Sequence, residues 1–155
     1  FRETDWPRVK QIFEEGIATG MATFETEAPD WPEWDVKYLR VCRLVAVLDD
    51  EVVAWAALTP FSKREVYKGV AEVSLYVGQS TRGLGIGLRL LKMLIQKARA
   101  EGFWTLQVAI FPNNKASIHI HEKVGFRKVG IREKIARRDG GWQGNVLMEI
   151  RFYQT

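Results

Sequence analysis

Arg82-Gly83-Leu84-Gly85-Ile86-Gly87 is the stretch on which the reading of this chain turns. It follows eight residues of alternating polarity, Val70 to Val77, and opens a run whose apolar residues recur at helical spacing. Glycines let the backbone approach a ligand without Cβ atoms in the way, and the free amides of a helix start direct partial positive charge outward. Together they make a cradle for a diphosphate, to which Arg82 adds a full charge. A dinucleotide fingerprint needs glycines at relative positions one, three and six, but the sixth position counted from Gly83 is Leu88. A nucleotide P-loop ends in Gly-Lys-Ser or Gly-Lys-Thr, where this chain has Gly87-Leu88-Arg89. The bland alternative is a flexible strand-to-helix turn.

Upstream of the loop, Ala71, Val73, Leu75 and Val77 alternate with Glu72, Ser74 and Tyr76, so the last three share a strand face. Leu44 to Leu48 and Val52 to Leu58 are apolar runs joined by Asp49-Asp50-Glu51 and read as a hairpin. Downstream, a helix carries Leu84, Leu88, Leu91, Ile95 and Ala98 on one stripe, with Gly102 as its stop signal. Phe103 to Phe111 reads as a strand, Pro112-Asn113-Asn114 as a turn and cap, and Lys115 to Val124 as a helix. From Phe126 onward two strands surround Arg138-Asp139-Gly140-Gly141. At the other end, Thr4-Asp5-Trp6-Pro7 opens a helix through Val9, Ile12, Phe13 and Ile17 that ends near Gly20. Asp30-Trp31-Pro32-Glu33 opens a shorter one carrying Trp34, Val36, Tyr38 and Leu39, and Met21 to Ala28 between them is a loop. No repeat, low-complexity tract or linker interrupts the pattern, so residues 1–155 are expected to form a single mixed α/β domain.

Its 155 residues, 46% of them hydrophobic and 27% charged, suit one core and exclude global disorder. A net charge of +4 favours anionic ligands, yet Lys63-Arg64 and Arg137-Arg138 are short pairs suited to solvated turns, and no recognition helix or zinc finger is present. Nucleic acid is therefore not the expected partner. Cys42 is the only cysteine, which excludes an intrachain disulfide and is compatible with a reducing compartment. The charged residues before position 20 break any signal-peptide core, and Val52 to Leu58 is too short for a bilayer, so a soluble cytoplasmic protein without membrane contact is expected. His119 and His121 lie roughly 200° apart on a helix and cannot chelate one metal together, so no metal is expected. The six tryptophans read mainly as core or rim packing, with Trp31 or Trp34 as an alternative wall for a ligand site.

The loop and its surroundings resemble the GNAT superfamily of N-acetyltransferases. Arg82-Gly83-Leu84-Gly85-Ile86-Gly87 is similar to that family's Arg/Gln-x-x-Gly-x-Gly/Ala pyrophosphate loop. Asn113-Asn114-Lys115-Ala116-Ser117 and His121-Glu122-Lys123-Val124-Gly125-Phe126 resemble its cofactor-side helix and the strand start that follows. Ala22-Thr23-Phe24-Glu25-Thr26, Thr59-Pro60-Phe61 and Glu72 resemble its phosphinothricin and methionine sulfoximine acetyltransferase-like group. The resemblance implies a twisted mixed sheet with helices on both faces, whose fourth and fifth strands splay apart to admit acetyl-CoA. Val70 to Val77 and Phe103 to Phe111 take those two places, and the family's first strand would precede Thr4, with Phe1-Arg2 as its tail.

The implied reaction is direct attack of a primary amine on the thioester. Glu72 matches the family's base, against the alternative of an ordinary solvated strand glutamate. His121 stands where many members carry a tyrosine that protonates the leaving thiolate, and its rival reading is structural. Backbone amides of Leu75, Tyr76 and Val77 at the splay, the loop from Arg82 through Gly83, Leu84, Gly85, Ile86 and Gly87 to Leu88, and Asn114 and Ser117 would hold acetyl-CoA. Asn114 can instead cap its helix, and a capping-turn hydroxyl explains Ser117 equally well. Phe24, Glu25, Lys68 and Tyr76 are the expected acceptor residues. The subgroup's Arg after Tyr67 is Lys68 here, and its Asp after Trp142 is replaced around Gly144; lysine lacks guanidinium's fork for an anion. The resemblance thus implies acetylation of a small amino-acid-like amine by a homodimer. The alternatives are acetylation of a protein N-terminus or lysine, a non-catalytic acetyl-CoA-binding module, and a structural domain.

Overall fold

Asp49 and Asp50 both adopt positive φ, 51° and 64°, the conformation whose twist matches a two-residue hairpin, and they join strands β1 (Leu44–Leu48) and β2 (Glu51–Pro60). Ala46 faces Ala54 while Val47 faces Val52, so Val53 is the extra residue of a bulge. The bulge resets the alternation. Ala54, Ala56 and Leu58 enter one core, whereas Trp55, Ala57 and, across the bulge, Val52 enter the other. The computed structural model describes residues 1–152.

Strand β3 (Val70–Val77) pairs antiparallel with β2 from Ala71 to Val77. Its partner on the other side, β4 (Thr105–Ile110), runs parallel and meets it at only three rungs: Val70 with Thr105, Ala71 with Leu106, and Glu72 with Gln107. Beyond Glu72, β3 remains with β2, while β4 remains paired to β6 (Gly141–Arg151) from Thr105 to Ile110. The sheet therefore forks. Strand β5 (Arg127–Arg138) closes the order β1-β2-β3-β4-β6-β5, joined to β6 through Asp139 and Gly140 at φ 51° and 78°.

Four α-helices of the described residues cover both faces. Helices α1 (Trp6–Ala18) and α2 (Trp31–Lys37) supply Val9, Ile12, Phe13 and Trp34 to the core over Trp55. On the opposite face, α3 (Ile86–Ala100) and α4 (Lys115–Lys123) supply Leu90, Leu91, Leu94, Ala98 and Ile118. Glu72, Ser74 and Tyr76 face the α1 side, while Ala71 and Val73 belong to the α3 core. Burial of these side chains, each of which contributes about 1.5–3 kcal/mol for the larger aliphatics, is what fixes the helices to the sheet.

Two expectations about helices are corrected. The buried stripe of α3 is Leu90, Leu91, Leu94 and Ala98, whereas Leu84 precedes the helix and is 63% exposed. The glycine loop turns through Gly83 and Gly85 at positive φ, so helical register begins only at Ile86. Helix α2 ends at Lys37, because Tyr38 is already extended and the amide of Leu39 donates to the Leu58 carbonyl at 2.8 Å. The sheet captures the chain before another turn forms. Trp34 is fully buried against Tyr38 and Trp55, and Trp31 stacks with Phe1, so neither walls the cavities at the fork.

Candidate active site

Gly85 at φ 77° is the N-cap of α3 and offers no side-chain acceptor, so the first amides of the helix, at Ile86, Gly87 and Leu88, have no capping partner. Gly83, at φ 82°, also needs the freedom that L side chains lack, and open space lies over both glycines. Gly87 has a different reason: a Cβ there would come within 3.2 Å of Val77, so its absence seats α3 closely on β3. Unclaimed amides, open space and Arg82 together fit a diphosphate. The cavity they line measures about 470 Å³ and continues to Leu75, Tyr76 and Val77 on one side and to Asn114 and Ser117 on the other. Leu84 is the one expected cofactor residue whose side chain does not line it.

A second cavity of about 380 Å³ lies on the α1 side of the fork, with Glu72 and Ser74 on one wall and His121 on another. Met21, Ala22, Leu75, Tyr76, Asn114 and Ser117 border both cavities and form the neck between them. The loop after α1, without any period in the sequence, roofs this neck. Arg138 Nη1 donates to the Gly20 carbonyl at 2.8 Å, Asn114 Nδ2 to the Met21 carbonyl at 3.4 Å, and Phe24 packs on Phe111 with ring centres 4.7 Å apart. Asn114 also caps α4, its Oδ1 accepting from the Ser117 amide at 3.3 Å, so its side chain ties helix to roof.

Glu72 sits at the vertex of the fork. Desolvation raises its pKa above the ordinary glutamate range, opposed by the nearby positive charges of Arg132 and Lys37. Tyr38 and Ser74 share a hydrogen bond of 3.3 Å beside it, and burial raises the Tyr38 pKa as well. His121 is 1% exposed, with Nδ1 2.7 Å from the Ser117 carbonyl. A carbonyl only accepts, so Nδ1 carries the proton and Nε2 of the neutral ring holds a lone pair. Nε2 has no partner among the described residues, and burial pushes the pKa below the ordinary imidazole value. The resting ring is therefore neutral with Nε2 as an acceptor, and it can donate from Nε2 only after a proton has been taken up there.

Of the four expected acceptor residues, Phe24, Glu25 and Tyr76 line this second cavity. Lys68 does not. It follows the 3-10 turn Glu65–Tyr67 and pairs with Glu65 at 3.1 Å on the exterior, on the approach to β3 rather than at its forked end. Sequence reasoning misses Arg132, Asn145, Tyr38 and Lys37, all of which line the cavity. Only Asn145, a polar residue entering the apolar run Val146-Leu147-Met148, carries a local signal. Among the described residues no group of three or more His, Cys, Asp or Glu could hold a metal, and no helix is long and apolar enough to cross a membrane.

The chain is similar in sequence and in fold to known acetyltransferases. A phosphinothricin N-acetyltransferase of Alcaligenes faecalis is 31% identical over 156 residues, covering 96% of this chain and 78% of the relative. An L-methionine sulfoximine/L-methionine sulfone acetyltransferase of Pseudomonas aeruginosa is 33% identical over 105 residues, 68% of this chain and 61% of the relative. The crystal structure of a GNAT superfamily phosphinothricin acetyltransferase from Sinorhizobium meliloti, in complex with AcCoA, superposes with a TM-score of 0.88 at 25% identity, covering 97% of this chain and 85% of that one. The profile of the Acetyltransferase (GNAT) family matches residues 6–126, which span the fork, the glycine loop and both flanking helices. With its forked sheet, uncapped helix start and family match over most of its length, the chain belongs to the GNAT family of acetyltransferases.

Proposed function

We propose that the chain transfers an acetyl group from acetyl-CoA to the primary amine of a small amino-acid-like acceptor, of the phosphinothricin or methionine sulfoximine kind. The observation that carries this reading is the shared neck: a diphosphate cradle on one side, a cavity with a carboxylate on the other, and a gap in the sheet between them. When bound, acetyl-CoA supplies an activated thioester.

In this reading the residues do three things. The amides opening α3 and the Arg82 guanidinium hold the diphosphate, and the β3 edge from Leu75 to Val77, released from β4, offers backbone groups at the neck. Glu72 accepts the proton that an aliphatic ammonium must lose before its nitrogen can attack; its raised pKa brings a carboxylate closer to that task. His121, with a bare Nε2, receives the second amine proton as the amide forms and then has a proton to return to the departing sulfur. Phe24, Glu25 and Tyr76 border the acceptor, and Lys68 plays no part in this arrangement. The reading also takes the chain as a homodimer. Val129, Ile131 and Ile135 are exposed apolar residues on the edge strand β5, and sedimentation at micromolar concentration tests this.

Thiol release from acetyl-CoA, measured with a panel of free amino acids, simple amines and peptides, tests the function. Turnover with free amino acids, strongly reduced in Glu72→Gln, is expected. Binding of acetyl-CoA without turnover of any amine would support the non-catalytic module instead.

A further inference from the structure

Arg132 leaves β5 where that strand buckles. It pairs with Asn145, and the next pair is Ala136 with Gln143, so three residues of β5 stand opposite the single residue Gly144. A Cβ on Gly144 would lie 2.5 Å from the Arg132 carbonyl oxygen, so only glycine lets the two backbones close at this point. The Arg132 side chain lines the acceptor cavity, and its Nε donates to Oδ1 of Asn145 at 2.9 Å; Asn145 itself is 5% exposed. A buried amide thus fixes the guanidinium by one edge and leaves the Nη1/Nη2 edge for a second partner.

Among the described residues no carboxylate lies within 4.0 Å of that guanidinium. Lys37, the other cation of the cavity, is paired with Glu25 at 3.6 Å. The cavity therefore carries Glu72 on one wall and Arg132 on another, opposite charges that are not joined. A ligand bearing an ammonium and a carboxylate on one carbon satisfies both.

We propose that Arg132, oriented by Asn145, is a specificity-determining residue that binds the carboxylate of the acceptor while Glu72 meets its amine, so that the site selects free α-amino acids over amines lacking the carboxylate. The proposal rests on the reading of this cavity as the acceptor site. A guanidinium edge matches the two oxygens of a carboxylate with parallel charge-assisted bonds, which a lysine at the same place cannot reproduce.

The test compares kcat/KM for L-methionine sulfone and for its decarboxylated amine, with saturating acetyl-CoA, in wild type, Arg132→Gln and Arg132→Lys. The wild type is expected to prefer the amino acid by about tenfold or more, the size of one charge-assisted contact. Arg132→Gln should bring the preference close to unity, chiefly through the KM of the amino acid, and Arg132→Lys should restore part of it. A wild type without preference, or a variant that loses activity on both substrates while keeping their ratio, overturns the role of Arg132 and leaves acetyl transfer standing. Absence of turnover with every amine in the wild type overturns the function and this inference together.

Discussion

Glu72 and Gln107 form the last rung between β3 and β4, and the sheet opens immediately beyond them. The carboxylate thus stands where two strands part, next to the neck that joins the two cavities. A strand face that would carry a solvated glutamate in an unbroken sheet instead carries a desolvated one.

Replacement of Glu72 by Gln should lower kcat by about 10²- to 10⁴-fold, the usual contribution of a positioned base, with acetyl-CoA affinity retained. The acid limb of kcat/KM against pH should lie above the ordinary glutamate range in the wild type and vanish in the variant. Steady-state thiol release over a pH series measures both. An unchanged acid limb would assign it to another group.

Buried His121 and half-buried Glu72 tilt stability in opposite senses. His121 has a folded pKa below its unfolded one, so between those values the unfolded chain binds more protons, and stability falls as pH drops below the ordinary imidazole range. Glu72 has a folded pKa above its unfolded one, so its contribution is present in acid and lost as pH rises through the folded value. Thermal melts should therefore show His121→Asn flattening the loss on the acid side, and Glu72→Gln raising Tm more at pH 8 than at pH 4.

Gly85→Ala should weaken acetyl-CoA binding about tenfold, read by calorimetry. At φ 77° an L residue is strained by about 1–2 kcal/mol, and relief requires turning the amides that open α3 away from the diphosphate. Gly85→Val should be worse, because a branched side chain would also occupy the space over the loop.

Gly16→Ala should destabilise the fold by about 1–3 kcal/mol in denaturant titrations. Its Cβ would lie 2.6 Å from the Tyr76 ring, which is held by stacking on Phe13 at 5.0 Å and on Trp55 at 4.9 Å. The helical preference for Ala over Gly, about 0.5–1 kcal/mol, is smaller than the cost of moving that stack. Tyr76 borders both cavities, so a rise in the acceptor KM should accompany the loss.

Lys68→Ala should leave the acceptor KM within about twofold of wild type, since an exposed pair with Glu65 contributes little and lies outside the cavity. A large rise would return Lys68 to the acceptor site.

Local chemistry makes much of this site legible in the amino-acid sequence. The three glycines announce a helix start with free amides, and the alternation from Val70 to Val77 puts Glu72, Ser74 and Tyr76 on one face; these are properties of neighbouring residues and need no fold. Arg132 and Asn145 are not legible in that way. Sixty residues separate Arg132 from Glu72, and its entry into the cavity depends on a two-strand bulge opposite Gly144, which no short window of sequence encodes. Leu84 misleads because its helical spacing runs through a glycine loop that is not helical, and Lys68 because nearness in sequence to the start of β3 is distance from its forked end.

The order of elements, the glycine cradle and the strand face that bears the carboxylate are written in the chain, because each follows from spacing and backbone freedom over a few residues. Where the sheet opens, which tautomer His121 adopts and what company Arg132 keeps belong to the folded molecule. Those depend on which strands compete for β4 and on which carbonyls and side chains burial brings together across the chain.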